Sequence, residues 1–429
     1  MKTKNTEKME KVFIPRCPRG KVSLPGSKSI AHRILICAAL TGSGLTVKNC
    51  GKSLDVTATA DALRTLGAEI VVEKPGEYRV GAGIFSGKNI KRPRIAVGES
   101  ASTLRFLLPL CLSEGFGAEF VCSGRLADRP MDDFEQLCRE NGADFYRREN
   151  VFYLDGKLTG HKFALSARVS SQFVSGLMLA LARMGGGEIV LSSGTVSRDY
   201  IRMTAGVMEY FGADAEISPG YDRICVSGGY SCPADTAFTV GEDVSAGAVF
   251  GLLDLVSRGA GGMADVPESP DLTAEYPDGK TKTARGLQGD GAWRDLLLQL
   301  ENGRPTISLR DVPDLAPTLA AAAAILNGGE FTGAERLRTK ESDRLDAICT
   351  ELRKFGADLR TVSDGKGEKL IVEPGKLTSA SDILLGHGDH RIVMTMSVLA
   401  SVFGGTVTDT EAVNKSFPDF FDVLEGLFE

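Results

Sequence analysis

Cations and hydroxyls gather four times at the start of an apolar, helix-periodic run. In Leu24-Pro-Gly-Ser-Lys-Ser-Ile-Ala-His-Arg33, a Pro-Gly turn places Lys28, Ser29 and Arg33 ahead of the run 34–40. The segment Gly98-Glu-Ser-Ala-Ser-Thr-Leu-Arg105 does the same with small residues, Ala101 and Ser102 among them, and Arg105. Ser170-Ser171-Gln172 and Ser197-Arg-Asp-Tyr200 complete the set. Backbone N–H groups at a helix start, joined by hydroxyls and cations, favour anions. Each stretch alone also reads as an ordinary capped surface helix. Arg125 and Arg129, in Arg125-Leu-Ala-Asp-Arg-Pro130, could clamp a carboxylate or phosphate bidentately, or simply pair with neighbouring acids.

The acids and bases lie in the C-terminal half. Asp314 stands before a helix-forming run, and Lys340-Glu341-Ser-Asp-Arg344 follows Arg336 and Arg338. Such a charge run forms either a solvated helix face or an anion site beside a proton-transfer group. Asp389-His390-Arg391 opens another apolar run, and Lys415 is the last candidate. No Walker loop is present, because Thr46 occupies the first glycine position before Gly51-Lys52-Ser53.

These residues need a scaffold of several units. One phrase recurs: a helical run, then Gly-Ala-acidic, then an alternating strand. It appears at Gly67, Gly142, Gly212 and Gly356, spaced 75 (142 − 67), 70 (212 − 142) and 144 (356 − 212) residues apart. A degenerate copy near Asn302-Gly303 fills the long interval, and a period of about 70 predicts roughly six units. Each glycine suits a left-handed helix cap before a strand. Helix-forming runs at 176–184 and 320–325, the first apolar nearly all round, predict interior helices. Residues 261–289, rich in Gly, Pro and charge, predict an exposed, mobile connection.

With 42% hydrophobic residues the chain is too long for one ordinary domain. A net charge of -6 excludes a global basic field for nucleic acid or anionic membranes. Nine scattered cysteines without a metal-spaced pair, a polar N-terminus and the lack of a long apolar stretch predict a cytoplasmic protein.

In order and spacing, the segments LPGSKSIAHR, GESASTLR, RLADRP, SSQF, SRDY, DVPD, LRTKESDRL, GDHR and NKSFPDFF resemble the 5-enolpyruvylshikimate-3-phosphate synthases from residue 21 to 421. That resemblance implies a two-domain inside-out α/β barrel of six β-α-β-α-β-β units. One domain would be discontinuous (1–20 plus 242–429) and one continuous (21–241), with the active site in the cleft between them. It implies a monomer that needs no metal or organic cofactor. Its partners would be the small molecules shikimate 3-phosphate and phosphoenolpyruvate, without nucleic acid or membrane.

By the same resemblance, Ser170, Ser171, Ser197 and Lys340 hold shikimate 3-phosphate, with Ser29, Arg33 and Tyr200 nearby. Arg125, Arg344, Arg391 and Lys415 cage phosphoenolpyruvate, whose pocket Ala101 and Ser102 border, and Lys28 and Gln172 lie between the substrates. Glu341 protonates the methylene carbon and Asp314 takes the hydroxyl proton, while Lys28 and His390 remain further candidates for proton transfer. Ala101 stands where many members have glycine, which implies a narrower pocket and reduced sensitivity to glyphosate. His32 and Arg336 each replace an asparagine found in the family. The related UDP-N-acetylglucosamine enolpyruvyl transferases carry Gly-Ala-Lys-Asn and a reactive loop cysteine, whereas here Met131-Asp132 follow Arg129-Pro130. RNA 3′-terminal phosphate cyclases share the fold but call for a basic surface, and a non-catalytic anion-binding relative would not need Lys28, Asp314 and Glu341 together.

Overall fold

The computed structural model of the protein describes residues 9–85, 91–115, 117–166, 170–192, 195–363, 365 and 367–429. Part of the polar N-terminal stretch lies outside them. The chain forms two compact units: Pro25–Glu242 with Ser269–Gly289, and Met1–Leu24, Asp243–Glu268 and Asp290–Glu429. Among the described residues, no helix is long and apolar enough to cross a membrane.

The first unit contains helices α1 (Lys28–Thr41), α2 (Leu54–Thr65), α3 (Ala101–Glu114), α4 (Asp132–Glu140), α5 (Gln172–Arg183) and α6 (Arg198–Met208). Its sheets repeat one wiring. Strand Arg94–Gly98 runs parallel to Ala118–Cys122, and that strand pairs antiparallel with Val151–Asp155, which closes a hairpin with Asp144–Arg148. Lys162–Leu165, Gly187–Leu191, Arg223–Gly228 and Ala213–Ile217 follow the same order. The third sheet does so too, with Leu45–Lys48, Glu77–Val80 and Ile70–Lys74, but its leading strand is Ala237–Val240 from the far end of the unit.

The second unit contains α7 (Val244–Ser257), α8 (Trp293–Asn302), α9 (Ala316–Ile325), α10 (Arg344–Lys354), α11 (His390–Phe403) and α12 (Phe420–Gly426). A fourth copy of the wiring joins Thr306–Ser308, Gly329–Thr332, Glu368–Val372 and Leu359–Ser363. Two short pairs, Lys11–Phe13 with Gly405–Val407 and Arg19–Lys21 with Met263–Asp265, complete the described sheet.

The recurring phrase reads out as expected. Gly67, Gly142, Gly212 and Gly356 all have positive φ, from 67° to 102°, and each precedes the edge strand that ends its copy. Gly303 is different. It is extended at φ 165° and leads into the first strand of a copy, so the degenerate repeat expected there is not one.

Strands such as Arg94–Gly98 and Lys162–Leu165 alternate exposed and buried, so one face of each sheet meets solvent. The helices supply the interior. From Thr103 to Ser113 every residue of α3 is buried, and α5 is buried along 173–182. A Cβ on Gly176 of α5 would lie 2.3 Å from the Arg105 carbonyl oxygen of α3, so the two helices approach as closely as glycine permits.

Two expectations are corrected. Residues 261–289 are not simply an exposed connection: Leu272–Glu275 and Thr281–Ala284 form a hairpin that extends the six-stranded sheet through Ala237–Val240, with Leu272 and Ala274 buried. Residues 269–289 therefore belong with the first unit, not with a block running from 242 to the end. Residues 21–24 stay with the second unit because Val22 N–H bonds the Asp265 carbonyl at 2.8 Å.

Replacing Gly176 with alanine forces α3 and α5 apart. The expected loss is about 1–3 kcal/mol of stability, measured as a lower denaturant midpoint at unchanged secondary-structure signal.

Candidate active site

In the first unit the anion-friendly starts are real helix N-termini. α1 begins at Lys28, α3 at Ala101, α5 at Gln172 and α6 at Arg198, each with a serine immediately before it. Only Ser100 caps its own helix, accepting Thr103 N–H. Ser27, Ser171 and Ser197 make no such side-chain bond, so capping does not account for Ser171 or Ser197. Ser197 also sits at φ 52°, a backbone strain that a serine does not adopt without cause.

Lys28 Nζ donates to Asp55 Oδ2 at 2.9 Å, and both side chains are largely shielded. Arg105 Nη1 donates to Ser170 Oγ (3.2 Å) and Gln172 Oε1 (2.9 Å), while Gln172 Nε2 donates to Ser102 Oγ (3.0 Å). Arg105 thus sets the amide orientation of Gln172. It was noticed in its motif, yet nothing in the sequence joins it to residues 65 and 67 positions away.

Arg33 is buried, and its guanidinium bonds Thr204, Ser175 and the carbonyls of Ser29 and Tyr200. Burial pushes its pKa down to about 10. In this geometry it ties α1 to α5 and α6. Arg125 is exposed; its carbonyl accepts Asp128 N–H at 3.1 Å, and its side chain makes no hydrogen bond or ion pair among the described residues. Ala101 is 6% exposed, at the first position of α3.

The second unit concentrates charge. Arg344 is 0% exposed and is held by three carboxylates. Its Nε and Nη2 donate to Asp389 (2.9 and 3.2 Å), Nη1 to Asp314 (2.9 Å) and Nη2 to Glu341 (2.6 Å). Burial alone would lower its pKa; Asp389, Glu341 and Asp314 outweigh burial and raise it well above normal.

Asp314 also receives Arg391 Nη2 at 3.4 Å and lies 3.8 Å from Lys340 Nζ. Burial would raise its pKa, but Lys340, Arg344 and Arg391 hold the carboxyl far below the usual range despite repulsion from Glu341. The Lys340 pKa also falls: burial, with Arg336 and Arg344, brings it down to about 8 against the pull of Asp314. Lys415 Nζ donates to the Gly388 carbonyl at 2.8 Å, and His390 is buried at the first position of α11.

Two acids here were not singled out as site residues. Asp389 caps α11 by accepting Arg391 N–H at 2.9 Å, and it also accepts Ser342 Oγ. An aspartate just before an apolar run was a legible cap signal. Asp290, 3% exposed, accepts the Ser245 hydroxyl; its sequence neighbours carry no hint of this. Burial raises its pKa to about 6, aided by Asp314 and Asp243 and opposed by Ser245 and Arg391.

Repeated α/β units whose helix starts and buried ion clusters present fixed cations and carboxylates define an enzyme of small, multiply charged anions. The family model described as EPSP synthase (3-phosphoshikimate 1-carboxyvinyltransferase) matches residues 15–424. The chain belongs to that family. A 3-phosphoshikimate 1-carboxyvinyltransferase of Clostridium perfringens (strain SM101) is 32% identical, with 98% of each chain covered. One of Clostridium botulinum (strain Eklund 17B) is 33% identical, with 95% of each covered. An EPSP synthase structure from Acinetobacter baumannii has a TM-score of 0.72 at 24% identity, covering 99% of this chain and 98% of that one.

A raised Asp290 pKa means that the folded protein binds a proton the unfolded chain releases near pH 4. The stabilisation is complete below that value and is lost as pH rises through about 6. An Asp290→Asn protein should therefore gain melting temperature relative to the parent between about pH 4 and pH 7. Parallel thermal unfolding curves across that range measure the difference.

Proposed function

We propose that this enzyme transfers the enolpyruvyl group of phosphoenolpyruvate to the 5-hydroxyl of shikimate 3-phosphate and releases phosphate. The observation that carries the reading is the Asp314 carboxylate, kept ionised by Lys340, Arg344 and Arg391 and set beside Glu341. The family match over residues 15–424 supports it. The reaction requires one base and one acid close together among cations.

In this reading residues of both units act jointly on the two substrates. Ser170, Ser171, Ser197 and Lys340 hold shikimate 3-phosphate, with Ser29 and Tyr200 beside it and Arg33 fixing the helices beneath. Arg125, Arg344, Arg391 and Lys415 bind the phosphate and carboxylate of phosphoenolpyruvate. Ala101 and Ser102 border that pocket, and Lys28 and Gln172 lie between the substrates. Glu341 delivers a proton to the methylene carbon of phosphoenolpyruvate, which leaves C2 electrophilic. The 5-hydroxyl oxygen attacks C2 as its proton passes to Asp314. The tetrahedral ketal then returns a methyl proton to the Glu341 carboxylate as its C2–O bond to phosphate breaks, so the double bond re-forms and phosphate departs. Cations around the leaving group stabilise the charge that develops there. His390 and Lys28 are the other candidates for proton transfer in this reading.

Arg344 gives this scheme a trigger. Four of its five N–H groups are bound to carboxylates. An incoming phosphoenolpyruvate anion competes with Glu341 for Nη2, and a carboxylate released from a cation takes up a proton more readily. Binding of the donor thereby converts Glu341 into an acid. The enzyme works as a cytoplasmic monomer.

Phosphate release should require shikimate 3-phosphate, should fail with UDP-N-acetylglucosamine as acceptor, and should fall by about 10²–10⁴-fold in Glu341→Gln, the range for a lost general acid. Turnover only with the sugar nucleotide would assign the chain to the rival reaction. Ala101→Gly should be inhibited by glyphosate at lower concentration than the parent, because the pocket loses a methyl group. Equal inhibition curves would remove the alanine from the explanation.

A further inference from the structure

His32 is buried at 0% exposure in the middle of the helix that carries Lys28. Its Nδ1 lies 2.6 Å from Thr59 Oγ1, the Thr59 hydroxyl lies 2.6 Å from Thr103 Oγ1, and Thr103 Oγ1 donates to Ser100 Oγ at 2.7 Å. With Thr103 donating to Ser100, the chain has one consistent sense: Thr59 donates to Thr103, with the Asp55 carbonyl 3.4 Å away as its other acceptor, and His32 Nδ1 donates to Thr59. In that arrangement the imidazole is the neutral Nδ1–H tautomer, and Nε2 is buried without a hydrogen-bond partner.

The geometry points to a ladder. Lys28–Asp55 and His32–Thr59 are both pairs 27 residues apart, and each second rung lies four residues, one helical turn, beyond the first. They join the same faces of α1 and α2. A third link, Thr59 to Thr103, carries the connection to α3, where Ser100 caps the helix that begins at Ala101. The groups facing the imidazole are Lys28 and Arg33 from its own helix, Thr59 from α2 and, one link further, Thr103 from α3. Burial first, then Lys28 and Arg33, hold its pKa well below 6.5, so the ring stays a neutral donor at working pH.

We propose that His32 is a positioning residue for enolpyruvyl transfer: it fixes the Lys28–Asp55 rung and the start of α3, and so the place where phosphoenolpyruvate is held. The inference rests on the assignment of Lys28 and Ala101 made above, and its test separates the two. In the full-length enzyme, His32→Leu should lower kcat/KM for phosphoenolpyruvate by about tenfold, the order expected for losing a buried hydrogen bond and stranding its partner. His32→Asn, whose amide can donate the same bond, should recover most of that loss. In a Lys28→Arg background, where the longer cation no longer fits the first rung, His32→Leu should have little further effect, because groups acting through one another are non-additive.

Unchanged phosphoenolpyruvate kinetics in His32→Leu, with only a lower melting temperature, would overturn the positioning role. Equal proportional losses in both backgrounds would overturn it too. Undiminished turnover in Lys28→Ala would instead overturn the assignment of Lys28, whatever His32 does.

Discussion

Arg344 is buried, so its charge has to be balanced by neighbouring groups. Stranding one member of such a buried ion cluster costs about 3–5 kcal/mol. The balance comes from three places: the turn before α9 supplies Asp314, the segment before α10 supplies Glu341, and the cap of α11 supplies Asp389. Each element is thereby fixed by a charge requirement as well as by packing. The same cluster keeps Asp314 ionised, while burial, with Arg336 and Arg344, lowers the Lys340 pKa to about 8. One buried guanidinium thus ties three elements of the second unit together.

The first unit solves its positioning problem with fewer charges. A hydroxyl chain from His32 to Ser100 and an amide network around Arg105 align α1, α2, α3 and α5. Hydroxyls cost less to bury than ions when each has a partner. They stand beside one shielded ion pair, Lys28 with Asp55. The cluster of three carboxylates around one buried guanidinium lies in the second unit, with Asp314 and Glu341.

What the sequence conveyed was local. A glycine with positive φ followed by an alternating strand is a property of adjacent residues, and all four Gly-Ala-acidic phrases were legible for that reason. So were the helix starts at Lys28, Ala101, Gln172 and Arg198. The hairpin 272–284 was read as linker because its polar, proline-flanked strands make sense only against Ala237–Val240. The motifs around Arg344 named most participants in its cluster. Their pairing, with Asp314 30 residues away and Asp389 45 away, depends on the fold. Asp55 and Asp290 lacked any signal at all, since their partners lie on other helices.

The borrowed strand Ala237–Val240 has a consequence for how the protein is made. Strand Leu45–Lys48 waits for a partner synthesised about 190 residues later, and Gly26 is bridged to Glu242 across a longer gap still. On a ribosome adding roughly 5–20 residues per second, the earliest sheet of the first unit stays open at one side for tens of seconds while the two later sheets can already close. Ile30 to Leu40, buried in the finished unit, is exposed longest. The nascent chain therefore meets its greatest need for protection at its oldest segment, and the first repeat to emerge is the last to be sealed.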